Sequence, residues 1–192
     1  MDANALRAAQ APLKAQYKSD PSSALLTLKS NGSLSSTSIA CSLSSGPAVS
    51  AAKQKVAGLH PAAGGPNAAV SGELCSGDML LEALVACAGV TLRAVATALE
   101  VEIRSGEVRA EGDLDFRGTM GVDKNAPVGF VEIRLRFVLD TDAEQKKIDK
   151  LVQLTERYCV VLQTISNAPK VSVSSSRKEK TGSLGGTMEL EH

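Results

Sequence analysis

Hydrophobic and polar residues alternate with a period of two in two long segments of the chain. In the first segment, 107–117, the apolar row consists of Val108, Ala110, Leu114 and Phe116. In the second segment, 129–139, it consists of Val131, Ile133, Leu135, Phe137 and Leu139. Charged residues fill most of the positions between them. The pattern predicts two long strands of a sheet with one solvated face, which is typical of antiparallel pairing.

The N-terminal half carries shorter strand signals. Residues 24–30 and 34–43 have the composition of strands, and Asn31-Gly32 between them is a strong signal for a hairpin turn. Glycine and proline punctuate 44–77, so this segment is predicted to be mostly loop, with one strand near 53–59.

Residues 78–99 are the most apolar part of the chain and predict a long helix. Ser76 is the predicted N-cap, and Asp78 favours the positive end of the helix. Apolar residues lie on almost every face, so the helix is either buried on all sides or crosses a membrane. Because Glu82 and Arg93 inside it would be costly in lipid, we predict a buried central helix and no membrane span.

A second, amphipathic helix is predicted to begin at Thr141, which forms a capping-box pattern with Glu144. Its apolar face consists of Ile148, Leu151, Val152, Thr155, Cys159 and Leu162. Asn167-Ala168-Pro169 ends it, and Val171 and Val173 indicate a last short strand. Helices on one face of an antiparallel sheet define an α+β fold around the buried central helix.

Length and composition fit one globular domain. The chain has 192 residues and a net charge of zero, which argues against a nucleic-acid partner. It has no Trp, two Tyr and three Phe, too few for stacking platforms. We expect an N-terminal extension over 1–22 with a short helix over 2–10, one domain over 23–176, and a polar tail over 177–192. The tail ends in what resembles a tag remnant.

Four cysteines, at positions 41, 75, 87 and 159, carry the most evident candidate chemistry. None forms a CxxC pair, which argues against a zinc ribbon or a thioredoxin motif. The first residues, Met1-Asp2-Ala3-Asn4, lack the basic and apolar regions of a secretory signal. A cytoplasmic protein with free thiols is therefore expected.

Local chemistry distinguishes the thiols but leaves the nucleophile open. Cys41 alternates with serines in a predicted strand and is interpreted as structural. Cys75 precedes the long helix, whose N-terminus lowers the pKa of a thiol. Cys87 lies inside the helix, where burial raises its pKa unless a cation or a hydrogen bond reaches it from elsewhere. On the same helix, Asp78 is about 13 Å away along the axis and Glu82 faces another side.

Cys159 falls on the core face of the second helix, so contact with Cys87 depends on both helices packing on one face of the sheet.

The two cysteine contexts resemble the OsmC/Ohr family, the osmotically inducible and organic-hydroperoxide-resistance proteins. Asp78-Met-Leu-Leu-Glu-Ala-Leu-Val-Ala-Cys87-Ala-Gly-Val-Thr91 is similar to the family's Glu-Leu-Leu-Leu-Ala-Ala-Leu-x-x-Cys-x-x-x-Thr helix. Cys159-Val160-Val161-Leu-Gln-Thr164-Ile is similar to its Cys-Pro-Val-x-x-Thr-Leu segment. The resemblance covers roughly 24–176.

The resemblance implies a thiol-dependent peroxidase that reduces organic hydroperoxides to alcohols, with active sites at the interface of an intertwined homodimer. It implies that Cys87 attacks the peroxide and that Cys159 forms a disulfide with the resulting sulfenic acid. Asp78 takes the place of the family's helix-start glutamate and would serve a thiol of the other subunit. An external dithiol restores the thiols, and no metal or bound cofactor is required. The apolar helix suits an alkyl or lipid hydroperoxide.

The chain departs from the family at three positions. Many members carry an activating arginine in the N-terminal hairpin, whereas this hairpin has Lys29 and the only arginine before Arg93 is Arg7. Asp78 replaces the usual glutamate, and Val160 replaces the usual proline. The missing arginine keeps a second hypothesis open, in which the fold binds a small apolar ligand or a partner without turnover. A third hypothesis makes Cys75 the nucleophile.

Overall fold

The computed structural model of the chain describes residues 3–36, 41–43, 56–65 and 73–175. The helices are α1 (Ala3–Ser19), α2 (Ser76–Ala98), α3 (Phe116–Thr119), α4 (Gln145–Tyr158) and α5 (Val160–Ser166). The strands are β1 (Leu25–Leu34), β2 (Cys41–Leu43), β3 (Val56–Gly58), β4 (Glu73–Cys75), β5 (Ser105–Asp115) and β6 (Phe130–Asp140). Two 3-10 turns cover Pro21–Ala24 and Pro61–Ala63. The predicted polar tail lies outside the described residues.

Four strands form an antiparallel sheet in the order β2-β1-β5-β6, and β3 and β4 form a small parallel pair. Helix α2 packs across β1 and β5 and also contacts α4 and α5. The helices at the core therefore share one face of the sheet, and the predicted α+β fold with a central helix is confirmed.

Helix α2 is the centre of the core. Its fully buried side chains are Leu81, Leu84, Val85, Ala88 and Leu92, and they pack with Val108 and Ala110 of β5 and Leu151 of α4. The prediction that α2 is buried on all sides is wrong in part, because Leu80 and Val90 are 39% and 41% exposed. By length and composition alone α2 could also cross a membrane, but its buried face belongs to the domain core.

The predicted hairpin turn at Asn31-Gly32 is wrong. Strand β1 runs straight through both residues, which pair with Arg109 and Val108 of β5. Pairing along nearly the whole length of β5 satisfies the backbone at these positions, and this outweighs the local preference for a turn. The hairpin forms later instead, because β2 folds back on β1 with Leu34 opposite Cys41.

A β-bulge shifts the apolar row of β6 by one position. Glu132 pairs with Asp113, but the next position of β5 pairs with Phe130, so Val131 is an extra residue. Val131 is therefore 56% exposed rather than facing the core as predicted. Phe130 faces the core in its place and lies over Gly112, where an added Cβ would come within 2.5 Å of the ring.

A second apolar cluster joins α1 to the rest of the domain. Its buried members are Tyr17, Ala24, Ala63, Phe116 and Met120. Helix α1 extends well beyond the predicted 2–10, through Pro12, because Tyr17 is buried and its hydroxyl donates to the Ala62 carbonyl at 2.7 Å. This anchoring offsets the backbone hydrogen bond that a proline inside a helix removes. Phe116, predicted to lie in a strand, begins α3 and packs in this cluster.

The C-terminal predictions need two corrections. Helix α4 begins four residues after Thr141, and its N-cap Glu144 makes no side-chain cap. The capping box is absent because the Thr141 hydroxyl instead donates to the Glu102 carbonyl at 2.6 Å. Val171 and Val173 form no strand within the described residues, and they are 75% and 93% exposed. The helical region ends before Asn167-Ala168-Pro169 as predicted, and Leu151, Cys159 and Leu162 of the predicted apolar face lie in or against the core.

Candidate active site

Helix α2 places Cys87 at the edge of the core. In the turn before Cys87, Leu84 is fully buried. The two residues after Cys87, Ala88 and Gly89, are buried as well. Because these two residues are small, neighbouring elements can approach the helix closely here. Cys87 itself is a half-buried free thiol.

Cys159 lies at a break between α4 and α5. Its φ of −70° and ψ of 107° are extended rather than helical, so the second helix predicted from the sequence is two helices. The Cys159 N–H donates to the Thr155 carbonyl at the end of α4, and the Cys159 carbonyl accepts from the Gln163 N–H at the start of α5, both at 2.9 Å. The side chain of Cys159 is fully buried against α2.

The break brings several hydrogen-bond donors to Cys87. They are the backbone N–H groups of Val161 and Val160 and the thiol of Cys159, while the hydroxyl of Thr91, one turn further along α2, adds a donor from the helix of Cys87 itself. Burial by itself raises the pKa of the Cys87 thiol, but these hydrogen bonds to sulfur outweigh it. The pKa of Cys87 therefore lies below that of an ordinary cysteine, and its thiolate is favoured.

The pKa of the Cys159 thiol is shifted in the opposite direction, upwards. Burial raises the pKa of its thiol to about 11, and the neighbouring Cys87 adds to the rise, while the Leu162 and Val161 N–H groups oppose it. At neutral pH Cys159 is thus a protonated thiol, and it lies beside a sulfur whose pKa is lowered. The contact between Cys87 and Cys159, which the sequence left open, is present.

Cys75 lies apart from this pair. Cys75 is the N-cap residue of α2, one position before the predicted Ser76, and it is a half-buried free thiol. It is twelve residues before Cys87, about 18 Å along the helix axis. Cys41 is in a strand as predicted.

Asp78 lies in the first turn of α2 beside His60, not beside Cys87. Burial raises the pKa of Asp78, with His60 opposing and Glu82 adding to the rise. Burial lowers the pKa of His60, whose Nδ1 accepts from the Ala62 N–H at 3.0 Å. His60 therefore caps a 3-10 turn, in line with its interpretation as a loop residue. This placement agrees with the prediction that Asp78, an acid of the same helix, does not reach Cys87.

An apolar groove of about 490 Å³ lies between β6, α5 and the N-terminal half of α2. Its apolar lining consists of Leu80, Phe130, Val131, Ile133, Leu135, Leu162 and Ile165. Leu80 is two helical turns before Cys87 on the same side of α2, about 10 Å along the axis. Leu162 follows Cys159 by three residues. The groove can therefore hold an alkyl chain, with neither cysteine in its lining and Cys87 about two helical turns from Leu80.

Sequence reasoning missed the backbone donors. A backbone N–H has no side-chain signature, and only the unusual Val160 after the second cysteine could have drawn attention to it. Thr91 appears in the motif, but its contact with Cys87 requires the helix geometry. Among the described residues no group of three or more His, Cys, Asp or Glu could hold a metal ion.

The fold and its paired, unlike thiols define a two-cysteine α+β protein. The family model described as OsmC-like protein matches residues 70–174, more than half of the chain. The chain therefore belongs to the OsmC-like family.

One solved structure of similar fold is an OsmC-like hydroperoxide resistance protein from Jannaschia sp. CCS1. It is 13% identical, with a TM-score of 0.54 over 82% of this chain and 97% of that chain. At this identity the likeness shows the shared fold. No curated protein matches the chain.

Proposed function

We propose that this protein is a thiol-dependent peroxidase that reduces organic hydroperoxides to alcohols. The observation that carries the proposal is the contact between a half-buried Cys87 of lowered pKa and a fully buried Cys159 of raised pKa. A peroxide-reactive cysteine needs an accessible thiolate, and a resolving cysteine needs to lie beside it. Family membership supports the same assignment.

In the first step, the Cys87 thiolate attacks the distal oxygen of the hydroperoxide. A sulfur–oxygen bond forms, the oxygen–oxygen bond breaks, and the departing alkoxide takes up a proton to become the alcohol. Cys87 is oxidised to the sulfenic acid.

In the second step, the Cys159 sulfur attacks the Cys87 sulfenic acid. A sulfur–sulfur bond forms and the sulfur–oxygen bond breaks. The proton held by Cys159 leaves with the hydroxide as water. An external dithiol then reduces the disulfide through two thiol exchanges and is itself oxidised to a disulfide.

We propose that no bound cofactor or metal takes part and that the reaction takes place in the cytoplasm.

The apolar groove supports an organic rather than an inorganic peroxide. Burying a substrate's alkyl chain there would contribute about 0.8 kcal/mol per methylene group. Hydrogen peroxide gains nothing from such a surface. We therefore propose alkyl or lipid hydroperoxides as the substrates.

We further propose a homodimer in which Asp78 acts on the other subunit. Only 44% of the most apolar stretch of α2 is buried in one chain, which favours a second copy against its exposed side. Within one chain Asp78 is too far from Cys87 to act. Because burial raises its pKa, Asp78 holds a proton more readily than an ordinary aspartate and is proposed as the donor to the alkoxide that leaves an adjoining site.

The test of the proposed activity is hydroperoxide consumption in the presence of dithiothreitol. We expect rapid loss of tert-butyl hydroperoxide that depends on the dithiol, with hydrogen peroxide consumed more slowly. After one equivalent of peroxide without dithiol, mass spectrometry should find a Cys87–Cys159 disulfide. Persistent free thiols at both positions would instead favour a non-catalytic binding protein, and a disulfide containing Cys75 would make that residue the nucleophile.

Mixed dimers test the role of Asp78. We expect Asp78→Asn to lower kcat/KM at least about tenfold, since a positioned proton donor is lost. A hybrid dimer of one Asp78→Asn chain and one Cys87→Ser chain, made by co-expression with two affinity tags, should regain up to half of the wild-type rate. The two homodimers, Asp78→Asn and Cys87→Ser, are the controls. If Asp78 served its own chain, the hybrid would be no faster than half of the Asp78→Asn homodimer.

A further inference from the structure

We propose that residues 170–174 of a second copy of this chain add as a strand to the edge of β6 and place Val171 and Val173 in the apolar groove. The exchange is reciprocal, so each copy gives one strand and receives one. It adds a second contact to the homodimer proposed above and does not depend on the peroxidase chemistry. The groove then has a wall that one chain does not provide.

Strand β6 can accept a further strand. It ends the sheet order β2-β1-β5-β6, and among the described strands only β5 pairs with it. An edge strand presents unpaired backbone N–H and C=O groups, which form a template for another strand. Because β6 spans eleven residues, it is long enough for a partner of five residues.

The apolar groove runs along this edge. Glu132 and Ile133 are neighbours in β6 that point to opposite faces of the sheet, and yet both line the groove. The Glu132 carboxylate accepts from Arg134 on the solvated face, whereas Ile133 packs against the core. A groove that reaches both faces of one strand lies at the edge of that strand. A strand added there therefore places the side chains of one of its faces in the groove.

Residues 170–174 have the composition of such a strand. Polar Lys170, Ser172 and Ser174 alternate with the two valines, and β-branched valine favours strands. Proline precedes the segment at position 169, and a proline is compatible with the start of a strand. In one chain the segment forms no strand, and Val171 and Val173 are 75% and 93% exposed. The segment thus has an apolar face that one chain does not bury.

The occupant of the groove is a second copy rather than the same chain. The segment begins four residues after Ser166, which lines the groove, but its two valines remain exposed and outside the lining. The groove also includes Leu80, which lies on the exposed side of α2 that the proposed homodimer covers. The strand exchange is therefore continuous with that interface. A two-fold axis makes the exchange occur twice and closes the assembly.

The exchanged valines leave room for a substrate. Two isopropyl groups occupy only part of a groove of about 490 Å³. An alkyl chain can still lie beside Leu80 and Leu162. The valines of the partner therefore narrow the groove and complete its wall on the β6 side.

Paired aspartate substitutions on the two faces of the segment test the exchange. Val171→Asp combined with Val173→Asp places two charges in the groove. The matched control, Ser172→Asp combined with Ser174→Asp, places the same two charges on the solvated face. All four side chains are exposed in one chain, so both variants should fold. By sedimentation equilibrium of the full chain, we expect the dimer dissociation constant to rise at least about a hundredfold in the valine variant and to stay nearly unchanged in the control.

Amide hydrogen exchange followed by mass spectrometry locates the contact. At concentrations where the wild type is dimeric, the amides of 131–135 should exchange at least about tenfold more slowly than in the valine variant. The serine control should match the wild type. On dilution below the dissociation constant, the wild type should lose this protection.

A valine variant that associates as tightly as the serine control would show that the inference is wrong. It is also wrong if the dimer weakens while 131–135 still exchanges at the wild-type rate, because the segment then binds elsewhere. A wild-type chain that stays monomeric, or protection of 131–135 that does not depend on concentration, would overturn the exchange between copies. Peroxide consumption enters neither measurement, so an inactive protein that exchanges strands would refute the proposed function alone.

Discussion

Cys87→Ser is expected to abolish dithiol-dependent hydroperoxide consumption, with a loss of at least about a thousandfold. The reaction needs an anionic sulfur, and a serine hydroxyl is essentially never ionised at neutral pH. The hydrogen bonds that lower the pKa of Cys87 cannot compensate for this difference. The measurement is the initial rate of tert-butyl hydroperoxide loss with saturating dithiothreitol.

The matched control is Cys75→Ser, which makes the same chemical change at the start of the same helix. Because Cys75 is about 18 Å from Cys87 along the axis, this variant should keep the wild-type rate. Activity that survives Cys87→Ser and disappears in Cys75→Ser would overturn the assignment and identify Cys75 as the nucleophile. Loss of activity in both variants with unchanged melting temperatures would also contradict it.

Leu84→Ala is expected to lower the free energy of unfolding by about 2–5 kcal/mol. Leu84 of α2 is fully buried in the core cluster, and its truncation leaves a cavity there. It also lies one turn before Cys87, so the helix position that presents the nucleophile depends on it. Guanidinium unfolding followed by circular dichroism, at a fixed protein concentration, measures the change.

Leu80→Ala is the comparison for this variant. It removes the same atoms from the same helix, but Leu80 is 39% exposed, so the loss should be less than half as large. Equal losses in the two variants would mean that the exposed side of α2 is as well packed in solution as its core side. That result would place a partner chain over Leu80.

Regular patterns in the sequence were enough to predict most of the fold. The alternation over 107–117 and 129–139 predicts the two long antiparallel strands, and the apolar run 78–99 predicts the central helix. These predictions succeed because each pattern repeats with the period of its element and is reinforced by burial along its whole length. Asn31-Gly32 is a single local signal, and the long pairing of β1 with β5 outweighs it.

The candidate active site, like the fold, was predictable from the sequence only in part. The sequence by itself determined the two cysteine contexts and the distance that separates Asp78 from Cys87 along one helix, because a helix fixes spacing in advance. Only the tertiary structure decided that Cys87 and Cys159 touch and that their pKa values move in opposite directions. Hydrogen bonding and burial belong to the packed chain, and the donors from the break at Cys159 are backbone groups that every residue except proline carries.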